Sequence, residues 1–144
     1  LLTHDKDQSV LTLMRLQDQI ESDYEILNPH WTLGQLIPII ERSSRNLFPV
    51  LDRHRNLLGV VDLQDVREVM FDTEVYDSIR VHDLMVLPLA TIQSEAKMDD
   101  VMKAFERTEA SFLPVLEGNS YCGFVSQTRL FDTYRSWLKD ASIR

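Results

Sequence analysis

Apolar positions in this chain fall into a few runs, and the runs come round twice. Leu47 to Leu51 and Leu57 to Val61 are nearly continuous apolar stretches of strand length, separated by the polar turn Asp52 to Asn56. Continuous rather than alternating character predicts a hairpin covered on both faces. Asp62 closes the second run, and Leu63, Val66, Val69 and Met70 then follow helical spacing, predicting a helix. Upstream, Thr32 with Gln35 three residues on reads as a capping box. Leu33, Leu36, Ile37 and Ile40 behind it form one face of a helix. Pro38 removes a backbone donor inside that helix and predicts a bend. Asp18 to Leu27 reads as a short strand ending at Asn28-Pro29. Val10 to Leu13 fits a helix or a short strand equally, and Phe71 to Arg80 reads as a polar connector.

Adding 65 to the residue number carries Asp18 to Asp83, Ile20 to Met85 and Leu27 to Ile92. The same shift carries Leu33, Leu36, Ile37 and Ile40 to Met98, Val101, Met102 and Phe105, and Pro49-Val50-Leu51 to Pro114-Val115-Leu116. The second hairpin turn is one residue shorter, so Gly59 and Val61 meet Gly123 and Val125 at a shift of 64. Leu130, Tyr134, Trp137 and Leu138 supply the closing helix. Register held across successive elements is the mark of an internal duplication. Each copy reads as strand, helix, strand, strand, helix. A unit this small has little core of its own, so the two copies are expected to pack face to face.

Composition narrows the function. A net charge of −8 opposes a general nucleic-acid binder, which needs clustered Lys and Arg. The single cysteine, Cys122, allows no internal disulfide, fits a reducing compartment and reads as a buried structural thiol. No apolar run is long enough to span a bilayer, so the fragment is expected to be soluble. The chain opens at Leu1 without a methionine, which reads as a piece of a longer polypeptide. His4, Asp5 and Asp7 lie close together, but a metal site needs more ligands at defined spacing, and a solvated tether is the simpler reading. His30, His54 and His82 have no evident nucleophile beside them, so the chain is not expected to be an enzyme by itself.

The motif resembles the cystathionine-β-synthase (CBS) domain, and the tandem resembles the paired CBS arrangement called a Bateman module. The residues that carry the likeness are Asp18-Gln19-Ile20 and Asp83-Leu84-Met85, the two Pro-Val-Leu strands, and Gly59-Val60-Val61-Asp62 with Gly123-Phe124-Val125-Ser126. The resemblance implies an α+β fold of two β-α-β-β-α repeats related by a pseudo-two-fold axis. The expected boundaries are a tether at 1–12, repeat one at 13–71, a connector at 72–77, repeat two at 78–139 and a tail at 140–144. Leu1 to Leu13, Thr32-Leu33-Gly34-Gln35-Leu36 and Arg45 to Val50 also look like the cytosolic tail of bacterial chloride channels and proton–chloride exchangers. That likeness implies a regulatory module at the cytoplasmic face of the inner membrane. Its partners would be the transmembrane domain of the same polypeptide and a second copy of the module.

In CBS pairs that bind adenine nucleotides, the strand-to-helix junction resembles Gly-apolar-apolar-Ser/Thr-x-x-Asp. The helix start offers amides to phosphate, the hydroxyl adds a donor, and the aspartate accepts from ribose. The implied ligand is ATP, ADP or AMP, with no cofactor required. Copy one matches the aspartate at Asp65 but has Asp62 in place of the hydroxyl; copy two has Ser126 at the hydroxyl and Arg129 in place of the aspartate. A carboxylate about 4 Å from a phosphate charge costs about 1 kcal/mol in water and about 4 kcal/mol at an effective dielectric near 20. Asp62 therefore opposes phosphate if it faces the cleft, leaving adenosine, or a nucleotide whose phosphates point elsewhere, as the ligand. Both acids are equally explained as an N-cap and a first-turn charge, and Arg129 as an exposed helix residue. Phe48, Pro49 and Leu113 are secondary candidates, since backbone groups near the prolines can line an adenine pocket. Trp31 and Trp137 read as packing or dimer-contact residues. The alternatives to a transporter tail are a regulatory segment of an enzyme and a free-standing adenylate sensor.

Overall fold

The structure, a computed structural model, describes residues 4–143, with side chains from 9 to 140. It contains helices α1 (His4–Leu13), α2 (Leu33–Arg42), α3 (Leu63–Val66), α4 (Val81–Leu84), α5 (Met98–Thr108) and α6 (Gln127–Ile143). The strands are β1 (Ile20–Glu21), β2 (Leu47–Leu51), β3 (Leu57–Asp62), β4 (Ile92–Gln93), β5 (Phe112–Glu117) and β6 (Ser120–Ser126). The fold is the mixed α+β type expected, and both hairpins form where the apolar runs place them.

The chain divides into two compact units that do not follow the repeat boundaries. The β2–β3 unit contains Asp23–Pro88 and Asn119–Tyr121. Phe48, Val50 and Val61 lie inside it with Leu27, Leu33, Leu36, Val66 and Val81, all fully buried. Leu27 bridges Val50 in parallel on one edge, and Val60 exchanges two 2.8 Å hydrogen bonds with Val86 on the other. The β5–β6 unit gathers the residues up to Ser22 with Leu89–Gly118 and Cys122 onward. Its sheet runs β1-β6-β5-β4, with β4 parallel to β5 and β1 antiparallel to β6.

The first strand of each copy is therefore built into the unit holding the hairpin of the other. Ile20 and Glu21 pair with Val125 and Phe124, while Val86, the copy-two counterpart of Glu21, pairs with Val60. A glycine makes each approach possible. A Cβ on Gly123 would lie 2.5 Å from the Glu21 carbonyl oxygen, and one on Gly59 would lie 2.9 Å from that of Val86.

The α2 capping box is present, with Thr32 Oγ1 accepting from Gln35 N at 3.2 Å and Gln35 Oε1 accepting from Thr32 N at 2.8 Å. The helix runs through Pro38 without interruption. Its buried face is Leu33, Leu36 and Ile39, with Ile37 and Ile40 half-buried, a small rotation from the expected stripe. In α5 the buried set is Met98, Val101, Ala104 and Phe105, and Met102 is half-buried.

Four expectations need correcting. The strand read over Asp18 to Leu27 is a 3-10 turn through Gln19, the two-residue β1 and an isolated bridge at Leu27. Most of the residues read as a tether form α1, because Val10 and Met14 reach a buried cluster with Leu16, Val101, Phe105 and Leu138. Leu1 to Thr3 and the side chains of His4, Asp5 and Asp7 lie outside the described residues. The helix expected through Met70 stops after one turn at Val66, and Asp72 then opens a 3-10 turn by accepting from Glu74 N at 3.2 Å. The connector is not merely solvated: Val75, Tyr76 and Ile79 pack on the β2–β3 core, and the carbonyls of Ile79 and Tyr76 accept the Leu33 and Gly34 amides.

Candidate functional site

Both copies close their strand-to-helix junction with the same hydrogen bond. Leu63 N donates to Asn46 O at 2.8 Å, and Gln127 N donates to Ser111 O at 2.9 Å. Each bond ties the first amide of the helix to the residue leading into its own hairpin. The residues singled out from the sequence thus collect at two places. Phe48, Pro49, Asp62 and Asp65 lie along one hairpin and the helix after it, with Leu47 paired to Asp62 and Phe48 to Val61. Ser126 and Arg129 meet at the second junction.

The two junctions differ electrically. At the first, Asp62 Oδ1 accepts from Gln64 N at 2.9 Å, so its carboxylate serves as the cap of α3. Asp65 follows in the same turn, and both acids are exposed. Because α3 has four residues, it provides a weak dipole with which to draw a phosphate. Phe48 is fully buried and Pro49 is buried. The Pro49 carbonyl already accepts from Leu27 N at 2.9 Å, so these two residues are first of all core.

At the second junction α6 runs for 17 residues, and Ser126 Oγ accepts from Arg129 N at 3.3 Å. This junction combines a full helix dipole with a neutral cap. The Arg129 side chain turns back to β1, with Nη1 3.5 Å from Glu21 Oε2 and Nη2 donating to Asp18 O at 3.4 Å. The Glu21 side chain is 11% exposed, and Arg129 therefore has a sheltered counter-ion where the nucleotide-binding pattern places an aspartate. Local pattern did not disclose Glu21. The usable signal was its shift partner, Val86, which places it on the strand that reaches the other copy's glycine.

Among the described residues no group of three or more His, Cys, Asp and Glu side chains could hold a metal, and no helix is long and apolar enough to cross a membrane. Cys122 is half-buried in β6 rather than fully buried.

The CBS-domain family model matches residues 19–72 and 81–136, most of the chain and both copies. This chain belongs to the CBS-domain family. The paired CBS fold is shared with solved structures at low identity. CbpB in complex with c-di-AMP is 14% identical at a TM-score of 0.76, over 96% of this chain and 95% of that one. A CBS domain protein from Streptococcus pneumoniae TIGR4 is 13% identical at a TM-score of 0.76, over 93% and 94%. The cytosolic domain of the Mg2+ channel MgtE, in complex with ATP, is 17% identical at a TM-score of 0.67, over 80% and 46%. A curated relative, inosine-5'-monophosphate dehydrogenase of Bifidobacterium longum (strain NCC 2705), is 25% identical over 114 residues, 78% of this chain. The CBS pair spans 21% of that relative's length.

Proposed function

We propose that this CBS pair is the adenine-nucleotide-responsive regulatory module of a larger polypeptide, without catalysis of its own. The reading is carried by the recurrence of the junction bond, Leu63 N to Asn46 O and Gln127 N to Ser111 O, which sets Asp62 and Ser126 in equivalent places. Each junction is a site of its own in this reading: Asp65 is the ribose acceptor at the first, and Ser126 at the head of α6 is a phosphate donor at the second. Relatives of the fold caught with c-di-AMP and with ATP support an adenine ligand. Calorimetric titration with ATP, ADP, AMP and adenosine is expected to give heat that Asp65→Ala removes. Absence of heat and of thermal shift at about millimolar ligand, an affinity near −4 kcal/mol, overturns the proposal.

Asp62 sets the ligand's charge preference. Asp62→Ser is expected to leave adenosine affinity unchanged and to raise ATP affinity about five-fold, the equivalent of removing about 1 kcal/mol of repulsion. Equal changes for the two ligands would show that Asp62 acts only as a cap.

Two parents fit the module. The likeness of Leu1 to Leu13 and of Thr32 to Leu36 to chloride-transporter tails, with a Mg2+ channel domain sharing the fold, supports regulation of ion transport at the cytoplasmic face of a membrane. The dehydrogenase relative supports attachment to an enzyme equally. The flanking reading frame decides: a run of apolar helices upstream supports the first parent and a catalytic domain the second. Either parent uses the module as a homodimer, which sedimentation at rising concentration tests.

A further inference from the structure

Between the loop after Leu27 and the tip of the β2–β3 hairpin lies a hollow of about 190 Å³, entirely within one compact unit. Its floor is Leu27 and Leu51, both buried, and its walls are Ile26, partly exposed, and Trp31, half-buried. Arg53 and Arg55 stand at its rim, exposed. The hollow is distinct from the Asp62–Asp65 junction. Leu51 pairs with Leu57 at the turn end of the hairpin, and Leu47 pairs with Asp62 at the other, four residues or about 13 Å away.

The turn holds its charges in a fixed arrangement. Asp52 Oδ1 accepts from His54 N at 2.8 Å and from Asn56 N at 2.9 Å, and Oδ2 accepts from Asn56 Nδ2 at 3.2 Å. These donors, the Asn56 amide first, hold the Asp52 carboxyl below its ordinary range. That carboxylate is thus engaged by the turn itself. Arg55 adopts a left-handed backbone (φ 66°), with its amide donating to Asp52 O at 3.0 Å. Arg53 Nε donates to His54 Nε2 at 3.3 Å, and neither arginine is in an ion pair among the described residues. Both cations face the hollow.

We infer that this hollow binds a small carboxylate with a ring-sized or branched apolar body. The body sits on Ile26, Leu51 and Trp31, and the carboxylate meets Arg53 and Arg55. Size supports the class: an apolar cavity of roughly 150 Å³ accepts a benzene ring, while larger ligands use pockets of about 300–1,000 Å³. The guanidinium fork matches a carboxylate. This site is independent of the nucleotide proposal and survives its failure.

The test is titration of the full chain with phenylacetate, followed by the indole N–H resonances of Trp31 and Trp137 in 1H–15N spectra. Trp137 lies on α6 and serves as the internal control. Trp31 is expected to shift saturably and Trp137 to stay still, with 2-phenylethanol and acetate each at least about ten-fold weaker. The double variant Arg53→Gln/Arg55→Gln, on an exposed turn, should keep the native spectrum and weaken phenylacetate about ten-fold. The inference is overturned by any of three results: equal binding of 2-phenylethanol, equal binding to the double variant, or no saturable shift of Trp31 by about 10 mM ligand.

Discussion

Phe48→Ala is expected to lower the unfolding free energy of the β2–β3 unit by about 3–5 kcal/mol, the cost of emptying a large buried ring site. Phe48 is among the largest fully buried side chains, and its surroundings are Leu27, Leu33, Leu36, Val50, Val61 and Val66. These neighbours come from a sheet and two helices and cannot all collapse inward, which puts the loss at the upper part of the usual range. Phe48→Leu retains most of the volume and should cost less than about 1.5 kcal/mol. Urea denaturation of both variants measures the difference. A loss below about 1 kcal/mol for Phe48→Ala would mean that the neighbours collapse into the vacated space.

Gly123→Ala comes next, at about 3 kcal/mol, combining a forced shift of packed backbone with a strained dihedral. The added carbon would sit 2.5 Å from the Glu21 carbonyl oxygen and 2.7 Å from Ile20 Cγ2, at φ 151°. Relief requires β1 to retreat from β6, which also carries Glu21 away from Arg129. Gly59→Ala should cost clearly less, about 1 kcal/mol. There the nearest backbone atom is at 2.9 Å, the next contacts are the flexible Met85 side chain, and φ is ordinary. Hydrogen exchange at Val125 and Phe124 localises the first effect to the β1–β6 ladder. The reverse ranking would show that the two close approaches are not doing the same job.

Much of the architecture was legible in the sequence because it rests on short-range pattern. The two hairpins, the α2 capping box and the duplication follow from apolar run length, from Thr32 and Gln35, and from residues matched at a fixed shift. The misread parts depend on contacts that spacing does not encode. Val69 and Met70 have helical spacing, yet the chain turns after Val66 and both side chains pack half-buried from turns. The residues up to Ser9 look polar and Val10 to Leu13 fits helix or strand, but Val10 and Met14 supply enough apolar contact to hold a helix. At the candidate site, the cap at Asp62 was readable, and Ser126 was placed at the matching position. The partner of Arg129 was not, because Glu21 lies far off in the chain and meets it only through strand exchange between the copies.

That exchange also orders events during synthesis. Ile20 and Glu21 leave the ribosome about a hundred residues ahead of their partners Val125 and Phe124. The β2–β3 unit has most of its residues once Pro88 has emerged, whereas the β1–β6 ladder cannot close until Phe124 and Val125 have been translated, a long-range pairing of the slow kind. During that interval the β1 edge is exposed, and stalling before Phe124 leaves a nascent chain whose first strand can pair only with something foreign.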